Sequence, residues 1–340
     1  MNADRPEAVP IIGEAPVFLE TLEHVSRAAP LLRPVLVVGE RGTGKELIAS
    51  RLHYLSGRWD QPLIKVNCAA LTESLLESEL FGHESGAFTG AMRTHIGQFE
   101  QSSGGTLVLD ELGTIPLRMQ EKILRVIEYG EFRRVGGSET LISDARVVGV
   151  TNEDLPGLAA RGRFRSDLLD RLAFDVIHVP PLRARPEDIL TLAFHFAVNI
   201  TSELKRPFFA GFSYEATTEL LAANWPGNVR ELKNTVERSV YRASDPSSPI
   251  TDVIFAPFAS PFGEIAAPPG ETEPEPSQTA ASGSGATLSY PLDFKTLVAN
   301  LERDLLEKAL TRAQHNQRIA AELLGLSYHQ LRGLVRKHRT

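Results

Sequence analysis

Two runs in this chain have the residue types and spacing of a phosphate-handling site. The first is Gly39-Glu40-Arg41-Gly42-Thr43-Gly44-Lys45-Glu46. Its glycines let successive backbone N–H groups turn toward one point, and a helix beginning here adds the positive end of its dipole. The Lys45 ammonium would neutralise the outer phosphates. A Ser or Thr usually follows such a lysine and holds Mg²⁺, but here the residue is Glu46, so metal binding has to fall to other groups. The second run, Gly104-Gly105-Thr106-Leu107-Val108-Leu109-Asp110-Glu111, supplies them. Its apolar stretch suits a strand buried in a parallel sheet. Two carboxylates emerge at its end, where open α/β sheets bind ligands. Asp110 would hold Mg²⁺, often through water, and Glu111 would polarise the attacking water. An Asp-Glu pair standing alone is more often a solvated turn or a helix cap; the glycine loop upstream favours the nucleotide reading.

Between these runs lies Gly86-Ala87-Phe88-Thr89-Gly90-Ala91. Small residues on both sides allow a sharp turn that holds one aromatic ring and one hydroxyl at a loop tip. Such a ring is a plausible contact for another protein, and a tight turn over a buried Phe is the alternative.

Taken together, these motifs resemble the bacterial enhancer-binding proteins, AAA+ ATPases that activate the sigma-54 form of RNA polymerase. The resemblance covers residues 10–255 and again 290–340. The hexapeptide matches the family's sigma-54-contacting loop in full. A Glu after the loop lysine is usual in the family, so Glu46 supports the assignment. ATP and Mg²⁺ are the implied ligands, and a hexameric ring is the implied assembly.

The resemblance implies roles for further residues. Asn67 would hold Glu111 away from water until ATP and target engage; an amide can donate and accept, and a helix cap is its other use. Thr151 and Asn152 match the family's first sensor of the γ-phosphate, with ordinary capping as the alternative. Arg165 and Arg171 match arginines that reach the next subunit's ATP; pairing with neighbours such as Asp167 is the bland reading. Arg230 matches the second sensor, and Trp225 and Pro226 before it read as packing and turn residues. Ile12 is expected at the adenine pocket. Arg134-Val135-Gly136-Gly137 matches a second pore-facing loop, or is a hairpin without a partner. Trp59, among polar neighbours, is a candidate anchor for an inhibitory protein acting in trans, or a half-buried packing residue.

The elements that must position these groups follow from periodicity. Apolar strands are predicted at 34–38, 63–67, 106–110, 145–151 and 174–179, alternating with amphipathic helices. The expected fold class is α/β: an AAA+ P-loop ATPase with a parallel sheet between helices, a helical lid, a flexible linker and a C-terminal all-α helix-turn-helix domain. The expected boundaries are 1–15 for a loose arm, 16–180 for the α/β part, 181–255 for the lid, 256–290 for the linker and 291–340 for the DNA-binding domain. Residues 183–245 read as helical throughout, with Pro226-Gly227 as punctuation, and 256–289 are too rich in Pro, Ala, Gly, Ser and Glu to bury a core. About fifteen leading residues cannot fold into a sensory domain, so control by a separate protein is expected.

The C-terminal end carries a different chemistry. From residue 312 onward six basic residues face Glu322 alone, a net of +5, so the remainder of this −7 chain sums to −12. A basic end on an acidic body suggests a nucleic-acid contact. An amphipathic helix over 301–313 has its apolar face at Leu301, Leu305, Leu306, Ala309 and Leu310. Ala320 and Ala321 permit close helix packing, Gly325 makes a turn, and Ser327 can cap a recognition helix over 328–338. By resemblance this is a Fis-type helix-turn-helix for enhancer DNA. Tyr328, His329, Gln330 and Arg332 would face base edges, Arg336 and Lys337 phosphates, with Gln317 and Ser327 flanking.

Composition excludes other classes. No apolar run approaches the ~20 residues that span a bilayer, so no membrane insertion is expected. One cysteine, Cys68, leaves no intramolecular disulfide, which with the missing signal stretch points to the cytoplasm. Two other readings stay open at this level: a nucleotide-switched DNA-binding regulator or repressor without sigma-54 remodelling, and a general AAA+ remodeller.

Overall fold

The computed structural model describes residues 10–243, 245–255, 303, 305–306, 308–313, 316–326 and 328–338. The chain divides into two compact units, residues 1–264 and 265–340. The first contains α1 (Pro16–Ala28), β1 (Val35–Val38), α2 (Lys45–Tyr54), β2 (Leu63–Asn67), α3 (Glu73–Phe81), α4 (Gln98–Gln101), β3 (Thr106–Asp110) and α5 (Leu117–Tyr129). A short hairpin of β4 (Glu131–Phe132) and β5 (Leu141–Ile142) follows, then β6 (Arg146–Thr151), α6 (Leu155–Ala160), α7 (Ser166–Leu172) and β7 (Val176–His178). The lid is α8 (Glu187–Glu203), α9 (Tyr214–Ala222) and α10 (Asn228–Arg242).

The five main strands form one parallel sheet in the order β2-β3-β6-β1-β7. Side chains alternate between its faces, as the pleat requires. Val35, Val37, Val108, Val148 and Val150 point to one face and pack with Phe18 and Val25 of α1 and Ile48 and Leu52 of α2. Leu36, Leu107, Leu109 and Val147 point to the other, against Leu80, Met119, Ile123 and Leu168. Both faces are covered, which is why these strands read as continuous apolar runs. The strands fall where periodicity places them, within one or two residues at the ends; the β4–β5 hairpin carries no such signal.

The lid has its own core of Leu192, Ala193, Ala197, Trp225, Leu232 and Val236. Ala193 and Ala197 let α8 and α10 approach closely. Helix is not continuous here, contrary to the sequence expectation. Residues 204–213 break it, with Lys205 at φ 55 and Gly211 at φ 98, and Pro207 between them has no N–H to donate. The break before α10, where Trp225 sits at φ 49, falls at the expected Pro226-Gly227 punctuation.

The leading segment also differs from expectation. Residues 10–15 are pinned, since Asp188 Oδ1 accepts from the N–H groups of Glu14 (2.6 Å) and Ala15 (2.9 Å) and Ala15 is fully buried. Residues 1–9 and the expected linker lie outside the described residues.

Arg146 opens β6 and is buried without a carboxylate partner. Its guanidinium donates to the carbonyls of Ala29 (2.8 Å), Ala28 (2.9 Å), Arg33 (3.3 Å) and Leu52 (3.4 Å). These lie at or near the C-terminal ends of α1 and α2, where helix dipoles favour a cation. Burial pushes the guanidinium down to about 10, so it stays charged at neutral pH. Replacing Arg146 with Ala strands these carbonyls. Urea unfolding should show a loss of about 3 kcal/mol.

Candidate nucleotide site and exposed loop pair

Register decides which groups meet at the carboxyl edge of the sheet. Val38 pairs with Thr151, Asn67 with Asp110, and Leu109 with Gly149. The glycine loop after β1, the acidic pair ending β3, and Thr151 and Asn67 therefore stand along one line. This is the crevice where the strand order turns back on itself.

Gly42 (φ 77) and Gly44 (φ 96) take left-handed conformations that shape the loop, and α2 starts at Lys45. The Lys45 ammonium is buried and donates to the carbonyls of Gly39 and Glu40, both at 2.9 Å. Burial pulls its pKa below the usual lysine range, while Glu111 and Asp110 oppose that shift. Glu46 is exposed in the first turn of α2. Glu111 has φ 53, a strained conformation for a residue with a side chain. Asp110 Oδ1 accepts from the Glu111 N–H at 2.9 Å, and Thr114 Oγ1 donates to the Glu111 carbonyl at 2.8 Å. Two hard carboxylate donors at a strand end fit a divalent cation that also takes phosphate oxygens. No group of three or more ligating side chains forms a self-contained metal cage among the described residues.

The flanking polar residues have mixed placements. Thr151 is fully buried; its hydroxyl accepts from Glu153 N–H (3.0 Å), and its carbonyl from Gly39 N–H (3.2 Å). Asn152 Oδ1 is buried without a partner among the described residues. Asn67 accepts from the Ala69 N–H at 3.0 Å and so caps the turn at 68–70 rather than bonding Glu111. Arg230 is exposed on α10, with its backbone N–H 3.3 Å from the Gly42 carbonyl. Ile12 lines a cavity of about 110 Å³ with Ile11, Gly44, Leu47, Phe196 and Val229.

Sequence reasoning missed four residues that join the segment from 182 onward to the rest of the site: Arg183, Arg185 and Asn228 on the loop, and Asp188 on the leading segment. Arg183 forks onto Glu40 at 2.5 and 2.8 Å and, with Asn228, holds that carboxyl at about 2. Arg185 and Asp188 are both buried, 3.8 Å apart, with Arg185 4.5 Å above the Phe18 ring. The signal on offer was a proline-flanked turn with two arginines, Pro181-Leu182-Arg183-Ala184-Arg185-Pro186, directly after a strand.

The hexapeptide forms a closed turn. Gly86 (φ 83) donates to Ala91 O at 2.7 Å, and Ala91 donates to Phe88 O at 3.0 Å. Ala91 is buried at the base, whereas Phe88 and Thr89 are exposed at the tip. Phe88, 48% exposed, rests edge-on against His83 at 4.9 Å, so the ring is presented outward on a fixed support. The 134–137 loop is joined to this base. Glu84 N–H donates to Val135 O (3.0 Å) and Val135 N–H to Gly82 O (2.9 Å). Arg134 binds Glu84 (2.8 Å) and both oxygens of Glu100 (2.9 Å), which holds the Glu84 carboxyl below its ordinary range. A Cβ on Gly136 would lie 2.7 Å from Ala87 Cβ, so glycine is required for this approach.

Both candidate trans arginines have carboxylate partners within the chain. Arg165 forks onto Asp167 at 2.7 and 3.0 Å. Arg171 uses Nε on Glu128 at 2.8 Å. Trp59 is 53% exposed in the turn between α2 and β2.

In the second unit, Leu306, Ala309, Ala313, Ala320, Ala321 and Leu331 form a small core. Leu305, expected on the apolar face, is 48% exposed and stands on the solvent side of that helix. The helices Gln317–Leu323 and Tyr328–His338 are separated by Gly325 at φ 64. Tyr328, His329, Gln330, Arg332, Arg336 and Lys337 are exposed and Gln317 half-buried; Ser327 lies outside the described residues.

Three family models match consecutive parts of the chain: the Sigma-54 interaction domain over residues 11–178, the AAA+ ATPase lid domain over 183–254, and the bacterial regulatory protein, Fis family, over 297–333. The Psp operon transcriptional activator of Escherichia coli (strain K12) is 54% identical over 97% of this chain and 98% of its own length. The Nif-specific regulatory protein of Azospirillum brasilense is 49% identical over 71% of this chain, which spans 39% of that protein. Solved structures of NtrX from Brucella abortus in complex with ATP and with ADP align at a TM-score of 0.67. They are 29% and 30% identical and cover 98% and 97% of this chain, which spans 70% and 69% of theirs. No helix among the described residues is long and apolar enough to cross a membrane.

Cys68 follows Asn67 and is buried in the apolar core, which pushes its thiol up to about 12, with Asp110 adding to the shift. At pH 8 the native thiol should react with iodoacetamide at least ~100-fold more slowly than in urea. Equal labelling rates would contradict this placement.

Proposed function

Because this chain belongs to the sigma-54-interacting AAA+ family of transcriptional activators with a Fis-type helix-turn-helix, we propose that it works as a hexameric ATPase on enhancer DNA. It uses ATP hydrolysis to convert the closed complex of sigma-54 RNA polymerase into an open one. The likeness to the Psp operon activator favours phage-shock (envelope-stress) operons as targets and the cytoplasm as the place of action.

The chemistry divides among the residues of the sheet edge. The loop amides and Lys45 bind the phosphates. Glu111 orients and polarises the attacking water, and Asp110 would hold Mg²⁺, which would offset phosphate charge when bound. Thr151, Asn152 and Arg230 read the state of the γ-phosphate, and Ile12 helps enclose the base. Asn67 acts as a switch on Glu111 after leaving its cap. Arg165 and Arg171 complete the neighbouring site in the ring, where such arginines are worth ~10³–10⁵ in rate. Arg165 pairs with the exposed Asp167 and the exposed Arg171 with the partly covered Glu128, and ion pairs at the surface are cheap to exchange. The exposed face of the last helix reads DNA. Trp59 offers an anchor for an inhibitory phage-shock protein acting in trans.

The observation that carries this reading is the hexapeptide tip. A buried turn would hide Phe88 and Thr89, but here a rigid base presents both. A γ-phosphate-dependent shift of the joined loop pair would raise or retract that tip. Thr89→Ala should hydrolyse ATP at the wild-type rate yet form no open complexes with purified sigma-54 polymerase. Normal promoter opening would refute the loop's role and favour a DNA-binding regulator without remodelling. For the trans arginines, mixing Lys45→Ala with Arg171→Ala subunits should restore part of the ATPase activity that neither has alone. Absence of recovery at every ratio would argue against sharing between subunits.

A further inference from the structure

The phosphate loop does not hold its shape by itself. Three consecutive carbonyls, those of Arg41, Gly42 and Thr43, are each taken by a donor from the segment that begins at residue 182. Asn228 Nδ2 donates to Arg41 O at 3.0 Å, Arg230 N–H to Gly42 O at 3.3 Å, and Arg185 Nη2 to Thr43 O at 3.1 Å. In a trans peptide the C=O and the following N–H point in opposite directions. Gripping these carbonyls from the lid side therefore aims the N–H groups of Gly42, Thr43 and Gly44 to the other side, into the phosphate cradle. Only Thr43 N–H has a partner within the loop, a long contact of 3.4 Å to Glu40 O.

Asn228 is the centre of this grip. It is fully buried and has φ 53. Its Oδ1 accepts from the Leu182 N–H at 2.8 Å, while its Nδ2 reaches both Arg41 O and Glu40 Oε2, the latter at 3.1 Å. Only a carboxamide supplies an acceptor and a donor at these positions; Asp lacks the donor and Leu lacks both. Arg183 completes the arrangement by forking onto Glu40. That fork also keeps a carboxylate beside the cradle turned toward a cation rather than toward incoming phosphates. The approach is close: a Cβ on Gly42 would lie 2.2 Å from the Gly227 carbonyl.

We propose that Asn228 and the Arg183–Glu40 pair form a latch through which the lid sets the geometry of the phosphate loop. Asn228 and Arg183 are thus positioning residues for nucleotide binding. This rests on the ATPase reading above and adds its control: lid position and nucleotide affinity are one coupled variable. The latch governs how well the cradle is formed, not the attack on the γ-phosphate, so it acts on KM rather than kcat.

The test uses the full chain, with ATP turnover and equilibrium binding of ADP measured side by side. Arg183→Ala should raise KM for ATP and Kd for ADP together by ~3–10-fold with kcat held within about twofold, because one charge-assisted contact is lost. Glu40→Gln should produce a similar rise. The double variant should be no worse than either single one, since both remove the same link. Asn228→Ala should weaken both constants further, by ~10-fold or more. Arg183 and Glu40 are half exposed, so their variants keep the test decisive even where Asn228→Ala disturbs folding. Unchanged KM and Kd in Arg183→Ala, additive losses in the double variant, or a fall in kcat at constant KM would each overturn the latch. Wild-type chain that binds ADP but never turns over ATP would instead sink the ATPase reading, and the ADP titration would still judge the latch.

Discussion

In-register parallel pairing is the constraint on which the site depends. Because β1, β6 and β3 run side by side in one direction, their last residues end together, and whatever follows each strand enters the same crevice. The glycine loop, the Asp110-Glu111 pair and the Thr151-Asn152 pair come from positions more than a hundred residues apart at the extremes. A one-residue slip would send each strand's side chains to the opposite face, against helix partners of a different shape, so close packing on both sides of the sheet enforces the alignment. The hydrophobic core thus sets the site's geometry without contributing an atom to it.

Desolvation sorts the polar groups into fixed and exchangeable ones. Arg146, Arg185, Asp188 and Asn228 are buried, where an unpaired donor or acceptor is costly. They tie elements together: Arg146 the ends of α1 and α2, Asp188 the leading segment, Asn228 and Arg185 the phosphate loop. Arg165 pairs with the exposed Asp167, and the exposed Arg171 with Glu128. Water competes for those contacts, so their partners can change at little cost. Groups that tie distant segments together are inside, and groups whose partners can change at little cost are outside.

The exposed loops follow the same division. Arg134, only 17% exposed in its side chain, bonds Glu84 and Glu100 at the loop base, while Phe88 and Thr89 stand in solvent. Any movement of the 134–137 loop must move the hexapeptide base with it, because two backbone hydrogen bonds and the Gly136–Ala87 contact join them. The tip is free to meet a partner because its support is not free.

Features written in contiguous residues were legible from the chain alone: the strands, as runs buried on both faces; the glycine loop and the acidic pair, by spacing; the Ala320-Ala321 and Gly325 pattern of the C-terminal helices. Their physical causes are local, being backbone freedom, periodicity and strand-end chemistry. The lid contacts were not legible. Asn228 reaches Glu40 across 188 positions, and Arg146 reaches Ala28 across 118. No pattern near either residue says which carbonyl will lie beside it. Leu305 fits a helical stripe yet faces water, because the partner helices cover only part of that stripe. Local propensity thus named the chemistry and most of the elements. Packing of distant segments chose the partners, since a hydrogen bond forms only between groups that burial has already brought within 3 Å or so of each other.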